Sequence, residues 1–383
     1  MKRPYYIFSS GRLQRHQNTL YLRPFEGDCE APQDFDLEDA AHHAGCTLED
    51  LDEPLDSQHA EPAFGFDDGP YQPRPTLAKR PLPVEDIEAI YLFGECDLNA
   101  RFFNFLGRSR VPLHFFNWFG FYTGSFWPRQ EIVSGKTTIA QALLYADPKR
   151  RVDFARLIVE GASFNILKTL RYYGAPSRGR DLCAYIDTIE ATRSLLPTAQ
   201  TVEEVMGYEG TMRATYYRAW PQMFAAPWAE FEKRVKRPPD NPINALVSFG
   251  NSLCYTLCLS EIYRTALNPT ISVLHQPGDR RFSLALDLSE IFKPALVDRL
   301  IFKLVNNGEI TPKHFDASLN FCYLKEEGRK IFVNAWDAKL RDTFEHRVLK
   351  QRVSYRRLVR LECYKLQKHL LGFGTYEPFK CWW

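Results

Sequence analysis

The chain is 383 residues long, 45% hydrophobic and 25% charged, with a formal net charge of +2; this length suits two domains with a substantial core. Without an apolar run of about 18 residues it is not expected to cross a membrane, and the start MKRPYYIFSSGRLQR lacks the apolar stretch of a secretion signal. Nine cysteines, an odd number with no CxxC pair, predict a cytoplasmic, disulfide-free protein.

In chain order, the first 25 residues, with YYIF and NTLYL, predict a hairpin of short strands around the turn-prone SSGR. From Glu26 to about Pro83 the sequence turns acidic, proline-rich and poor in large aliphatics. This predicts a surface insertion with two short helices, 36–44 and 47–55, and an extended exit. Residues 26–70 hold fifteen Asp or Glu and no Lys or Arg, so the rest of the chain carries +17. Such asymmetry suits a polyanion ligand, with ordinary solvated charge as the bland alternative. Strand-like sequence resumes over Ile87–Gly94. Asp97 is expected to cap a short helix, LNARFFNFLG, and PLHFFNWF predicts another strand.

Beyond Trp127 apolar residues recur at helical spacing: 137–145, 152–173, 181–195, 242–267, 294–306 and 337–371. Thr201 and Glu204 form an S/T-x-x-E capping box ahead of Glu209. Ser134-Gly135-Lys136-Thr137-Thr138 imitates the end of a P-loop, but Gln130 stands where that motif needs glycine, so nucleotide hydrolysis is not expected. Cys254 and Cys258, one turn apart without a second Cys/His pair, read as buried thiols rather than zinc ligands. The expected fold is α+β. A β-rich domain over 1–127 carries the insertion at about 26–83, and an all-helical domain over 128–383 ends in a basic helix.

Four constellations stand out. Glu209, Arg213 and Tyr216 fall at i, i+4 and i+7 on one helix face; alone they describe a surface pair worth roughly 0.3–0.5 kcal/mol. His275 precedes the turn Gln276-Pro277-Gly278-Asp279, with Arg280 and Arg281 following at the distance of a phosphate cradle. Asp287 and Glu290 lie one helical turn apart behind the apolar SLALDL, and Lys293 follows. Solvated carboxylates at a helix start are the bland alternative, but burying two carboxylates without a cation is costly. Oxygen donors with one imidazole suit Mg²⁺ or Mn²⁺, and the lack of thiolates disfavours zinc. Residues 347–368 hold eight Lys or Arg against Glu362 alone. Arg352, Arg356 and Arg360 recur every four residues, as a solvated face or as a row matching successive phosphates.

Glu209-Gly210 with Arg213-Ala214-Thr215-Tyr216, then His275, then Asp287-Leu288-Ser289-Glu290 with Lys293-Pro294, resembles the CRISPR-associated endonuclease/integrase of spacer acquisition. The resemblance runs from YYIFSSGRL to Gly372, apart from the acidic insertion. It implies a β-rich dimerisation domain and a helical catalytic domain, with Glu209, His275 and Glu290 holding the metal. The third ligand of that family is Asp or Glu, and Asp287 is a nearby acidic residue of unresolved rank. Arg213, Arg280, Arg281, Lys293, Arg352, Arg356 and Arg360 are the expected DNA contacts. The implied reaction joins prespacer 3′-hydroxyls to repeat DNA by transesterification. The implied partners are double-stranded prespacer and repeat DNA, a second copy of the chain, and the second numbered CRISPR-associated protein as a bridge. A prespacer-trimming exonuclease is a further implied partner. Two other readings use the same residues: a stand-alone metal nuclease on branched or single-stranded DNA, and a non-catalytic nucleic-acid scaffold.

Overall fold

The computed structural model describes residues 2–17, 19–25, 80–129, 132–235, 238–278, 282–318, 321–346 and 348–382. The predicted helices at 36–44 and 47–55, and most of the acidic segment, lie outside them. The chain divides into two compact units, 1–118 with 123–129, and 119–122 with 130–383.

The first unit holds two four-stranded sheets. One has the order β1 (Arg3–Ile7), β5 (Ile87–Leu92), β7 (Leu113–Phe116), β8 (Tyr122–Phe126), and the other β4 (Arg80–Pro83), β3 (Thr19–Pro24), β2 (Gly11–His16), β6 (Cys96–Asp97). The hairpin expected around SSGR does not form. β1 pairs in parallel with β5, whereas β2 turns back on β3, pairing His16 with Thr19. Ser9–Ser10 is thus a crossing between sheets. The physical reason lies in the alternation of Leu13, Leu20 and Leu22, whose side chains enter a core with Ile87, Ile90, Phe102, Leu106 and Leu113. Residues 80–83, expected at the end of the insertion, are instead strand β4, with Leu22 opposite Arg80 and Thr19 opposite Pro83. The helix α1 (Ala100–Ser109) is capped by Asn99, which accepts from the Phe102 N–H at 3.0 Å. Asp97, the expected cap, pairs with Arg12.

The second unit is built mainly of helices: α2 (Gly135–Ala146), α3 (Pro148–Tyr173), α4 (Cys183–Ser194), α5 (Val202–Met223), α6 (Pro242–Tyr263), α7 (Ser283–Lys293), α8 (Arg299–Asn306), α9 (Glu326–Arg341) and α10 (Tyr355–Leu370). It is not all-helical, because two antiparallel hairpins interrupt it. They pair β9 (Phe315–Ser318) with β10 (Phe321–Leu324), and β11 (Thr343–Glu345) with β12 (Arg352–Ser354). The second hairpin splits the continuous helix expected over 337–371.

At the centre stands α6. It is long and apolar enough to cross a membrane, but 94% of its most apolar window is buried inside the protein, so it is a core helix. Asn241 caps it, accepting from the Asn244 N–H, and Pro242 fills the first turn where no donor is needed. Its buried Thr256 and Ser260 hydroxyls donate to carbonyls one turn back. α7 packs between α6 and α3 and is buried all round. Asn165 of α3 donates to the Ile291 and Phe379 carbonyls and accepts from the Cys381 N–H, tying α7 to the C-terminal tail. After α7 comes a π-helical turn, Pro294–Asp298. Proline has no N–H to donate to the carbonyl four residues back, so the α-helical ladder fails there and one wider turn takes its place.

Candidate metal-dependent active site

Glu209 and Arg213 sit one turn apart on α5, whose first turn is fixed by Thr201 accepting from the Glu204 N–H at 3.1 Å. The return bond of the expected capping box goes to Gln200 N–H rather than to Thr201. The Arg213 guanidinium reaches Glu209 at 3.2 Å and also pairs with Glu290 on α7. Lys293 closes on the other Glu290 oxygen at 2.6 Å. Two residues that look like separate surface features in the sequence thus become one buried cluster. Glu290, Lys293 and His275 are each at most 8% exposed.

His275 and Asp287 form the second half. One Asp287 oxygen accepts from the His275 N–H at 3.0 Å and stands 2.8 Å from its Nδ1. The other accepts from the Val273 and Leu274 N–H groups at 2.7 and 3.1 Å. A carboxylate offers about four acceptor sites, and all four are taken. Asp287 is therefore the mount for the loop 272–275 and for the imidazole. With Nδ1 donating to it, Nε2 carries the lone pair. Ser272 braces the loop, its hydroxyl donating to the His275 carbonyl at 2.6 Å.

Burial works against a charged His275, but the Asp287 hydrogen bond and charge, then Glu290 and Glu209, outweigh it and raise its pKa. All three acids therefore act on one imidazole. Burial lowers the Lys293 amine to about 7, against the pull of Asp298. The Lys293 Nζ donates to the Glu290 Oε1 at 2.6 Å.

These positions test a divalent cation. One imidazole nitrogen and two carboxylates fit a hard ion in kind. Among the described residues, however, no three His, Cys, Asp or Glu side chains already converge on one point. Glu209 and the buried Glu290 are both turned onto Arg213, and Glu290 also meets Lys293, so the guanidinium offsets the carboxylate charge. For Glu209, His275 and Glu290 to hold a cation together, the two carboxylates would first have to turn from Arg213 and Lys293.

Arg280 and Arg281 lie outside the described residues. Arg352, Arg356 and Arg360 do not share one helical stripe. Arg352 is on β12 and bonds to Thr343, Arg356 is buried, and Arg360 pairs with Glu261, which is wholly buried in α6. The reason is the hairpin that starts α10 only at Tyr355. Sequence reasoning missed Asp298, a lone acid in PALVDRLIF that is buried behind Arg213; its signal was an acid inside an apolar run. The P-loop imitation is an ordinary helix start, with Ser134 capping α2.

A sheet-rich first unit, and a helical second unit holding buried carboxylates, an imidazole and facing cations, define a candidate metal-dependent phosphodiester enzyme. The family model for CRISPR associated protein Cas1 matches residues 74–338, and the chain belongs to this family. A CRISPR-associated endonuclease Cas1 of Fusobacterium nucleatum is 49% identical over 80% of this chain and 89% of its own. One from Clostridium perfringens is 41% identical over the whole of both chains. The solved structure of a Cas1 protein from Thermotoga maritima is 35% identical, with a TM-score of 0.76 over 98% of each chain.

Proposed function

We propose that the protein is a Mg²⁺- or Mn²⁺-dependent DNA endonuclease/integrase of CRISPR adaptation. The observation that carries this reading is the pairing of Glu209 and Glu290 with Arg213, beside an Asp287-mounted His275 on which both carboxylates act, in a chain of the Cas1 family. The reaction is transesterification: a prespacer 3′-oxygen bonds to the phosphorus of a repeat phosphodiester as the old P–O bond breaks, with no ATP. When bound, the cation polarises the scissile phosphate and stabilises the attacking or leaving oxygen. Asp287 fixes the imidazole so that Nε2 points its lone pair away from the mount. Arg213 and Lys293, already facing the carboxylates, offset charge on a phosphate brought against them. Arg280 and Arg281 are proposed DNA contacts.

Prespacer and repeat DNA are the proposed substrates, and the β-rich unit is proposed to join two copies of the chain. The second numbered CRISPR-associated protein would bridge such dimers. A trimming exonuclease would precede them, and the setting is the cytoplasm.

The test supplies prespacer, a repeat-bearing duplex and Mn²⁺ to Glu209→Ala, His275→Ala and Glu290→Ala. Each should lose joined product while melting as a folded protein. A variant that joins at near wild-type rate removes its residue from the site. Cut DNA without joined product in the wild type favours a stand-alone nuclease.

A further inference from the structure

Behind Arg213 lies a second, wholly buried polar group that the proposed chemistry does not use. Asp298, Tyr216 and Arg213 meet there. Asp298 is 1% exposed and Tyr216 is fully buried. Asp298 and the Tyr216 hydroxyl lean on each other, and the Arg213 Nη1 is buried without a hydrogen-bond partner. A guanidinium donor left unpaired in a protein interior is costly.

The π turn explains how Asp298 comes to be there. In an unbroken α-helix a residue eight places after Glu290 would sit about 80° round the axis from it. One extra residue taken up in the π turn reduces the offset to about 20°. Asp298 is thereby brought to the Glu290 face, behind the guanidinium that Glu290 now holds. Pro294, which forces the wider turn, and the buried Val297 beside it fix that position. Burial raises the Asp298 carboxyl to about 7, with Arg213, Tyr216 and Lys293 pulling it back down, so Arg213 is the strongest attraction it has.

We propose that Asp298 is a positioning residue: the buried acceptor to which the Arg213 guanidinium passes when Glu209 and Glu290 turn to a divalent cation. This rests on the metal-dependent reading above. Arg213 is the counter-ion of both carboxylates, and a cation displacing it leaves a buried guanidinium beside two positive charges. Tyr216, Tyr217 and Asp298 lie in its neighbourhood, and Asp298 is the carboxyl among them, so it can both accept the released donors and oppose their charge. The exchange gives the released guanidinium an acceptor, and it makes metal affinity depend on a residue that never touches the metal.

The experiment is a double-mutant cycle read by calorimetric titration of MnCl₂ alone, without DNA, into the full chain. Asp298→Asn should weaken Mn²⁺ binding by about tenfold or more, as loss of an outer partner commonly does. In an Arg213→Gln background, where no guanidinium needs a new partner, the same substitution should change nothing. Equal weakening in both backgrounds, or Mn²⁺ binding within twofold of wild type in Asp298→Asn, overturns the proposal. If Asp298→Asn does not fold, ¹⁵N-arginine spectra of the wild type decide instead. The Arg213 Nε–H resonance, assigned by its loss in Arg213→Gln, should move on adding MgCl₂. An unmoved resonance in Mg²⁺-bound protein overturns the exchange while leaving the metal site standing. Wild-type protein that binds neither ion removes both.

Discussion

At the scale of single residues, Asp287 separates two roles that its sequence position leaves merged. A ligand carboxylate has an oxygen to give, and Asp287 has none, since three backbone N–H groups and an imidazole take its acceptor sites. Asp287→Asn turns one oxygen into an amide donor facing backbone donors. With unsatisfied buried donors costing about 1–3 kcal/mol each, the variant should lose about 3 kcal/mol in urea unfolding. It should also weaken Mn²⁺ by about tenfold or more, because the imidazole loses its mount. Loss of Mn²⁺ binding with unchanged unfolding free energy would instead make Asp287 a ligand. Glu209 and Arg213 were legible in the sequence because an i, i+4 pair on a helix needs no tertiary knowledge. The mount was not legible, because it depends on how the loop 272–275 folds over α7.

At the scale of elements, the basic C-terminal stretch shows where periodicity misleads. Arginines every four residues imply one stripe only if the helix is continuous, and here β12 carries Arg352 while α10 carries the other two. Arg360 then turns inward. Its guanidinium meets Glu261, 0% exposed, and Arg264 is the next cation at 4.0 Å. Removing one member of a buried pair strands the other charge, which costs about 3–5 kcal/mol. Arg264 lies close enough to recover part of this, so Arg360→Ala should lose about 3 kcal/mol by denaturant unfolding. Arg360 is therefore expected to hold α10 onto α6 rather than to contact phosphate. Unchanged stability with weakened DNA binding would restore the phosphate role. The π turn is the other element the sequence conceals, since Pro294 after Lys293 signals a helix stop and not a continuation in a new register.

At the scale of the whole molecule, the acidic segment divides the charge of the chain into −15 over residues 26–70 and +17 elsewhere. β3 and β4 bracket this stretch as antiparallel neighbours, with Leu22 opposite Arg80. The sheet therefore closes at the root of the segment, and loop-closure entropy grows only slowly with the length between. Replacing residues 28–78 with a short Gly/Ser linker should leave the melting temperature and the copy number in solution unchanged. It should also raise the net charge steeply, and with it the rate at which DNA is met at low salt. That gain has a limited range, because at 0.15 M salt the Debye length is about 8 Å and charges farther from the DNA are screened. The expected result is faster DNA association by stopped-flow at 20 mM salt that converges on the full-length chain by 150 mM. Convergence would place the segment's charge away from the surface that DNA occupies. A gain in affinity that persists at 150 mM would put the charge on that surface, as a competitor that DNA must displace. A lower copy number in solution on replacement would show that the segment belongs to an interface between copies.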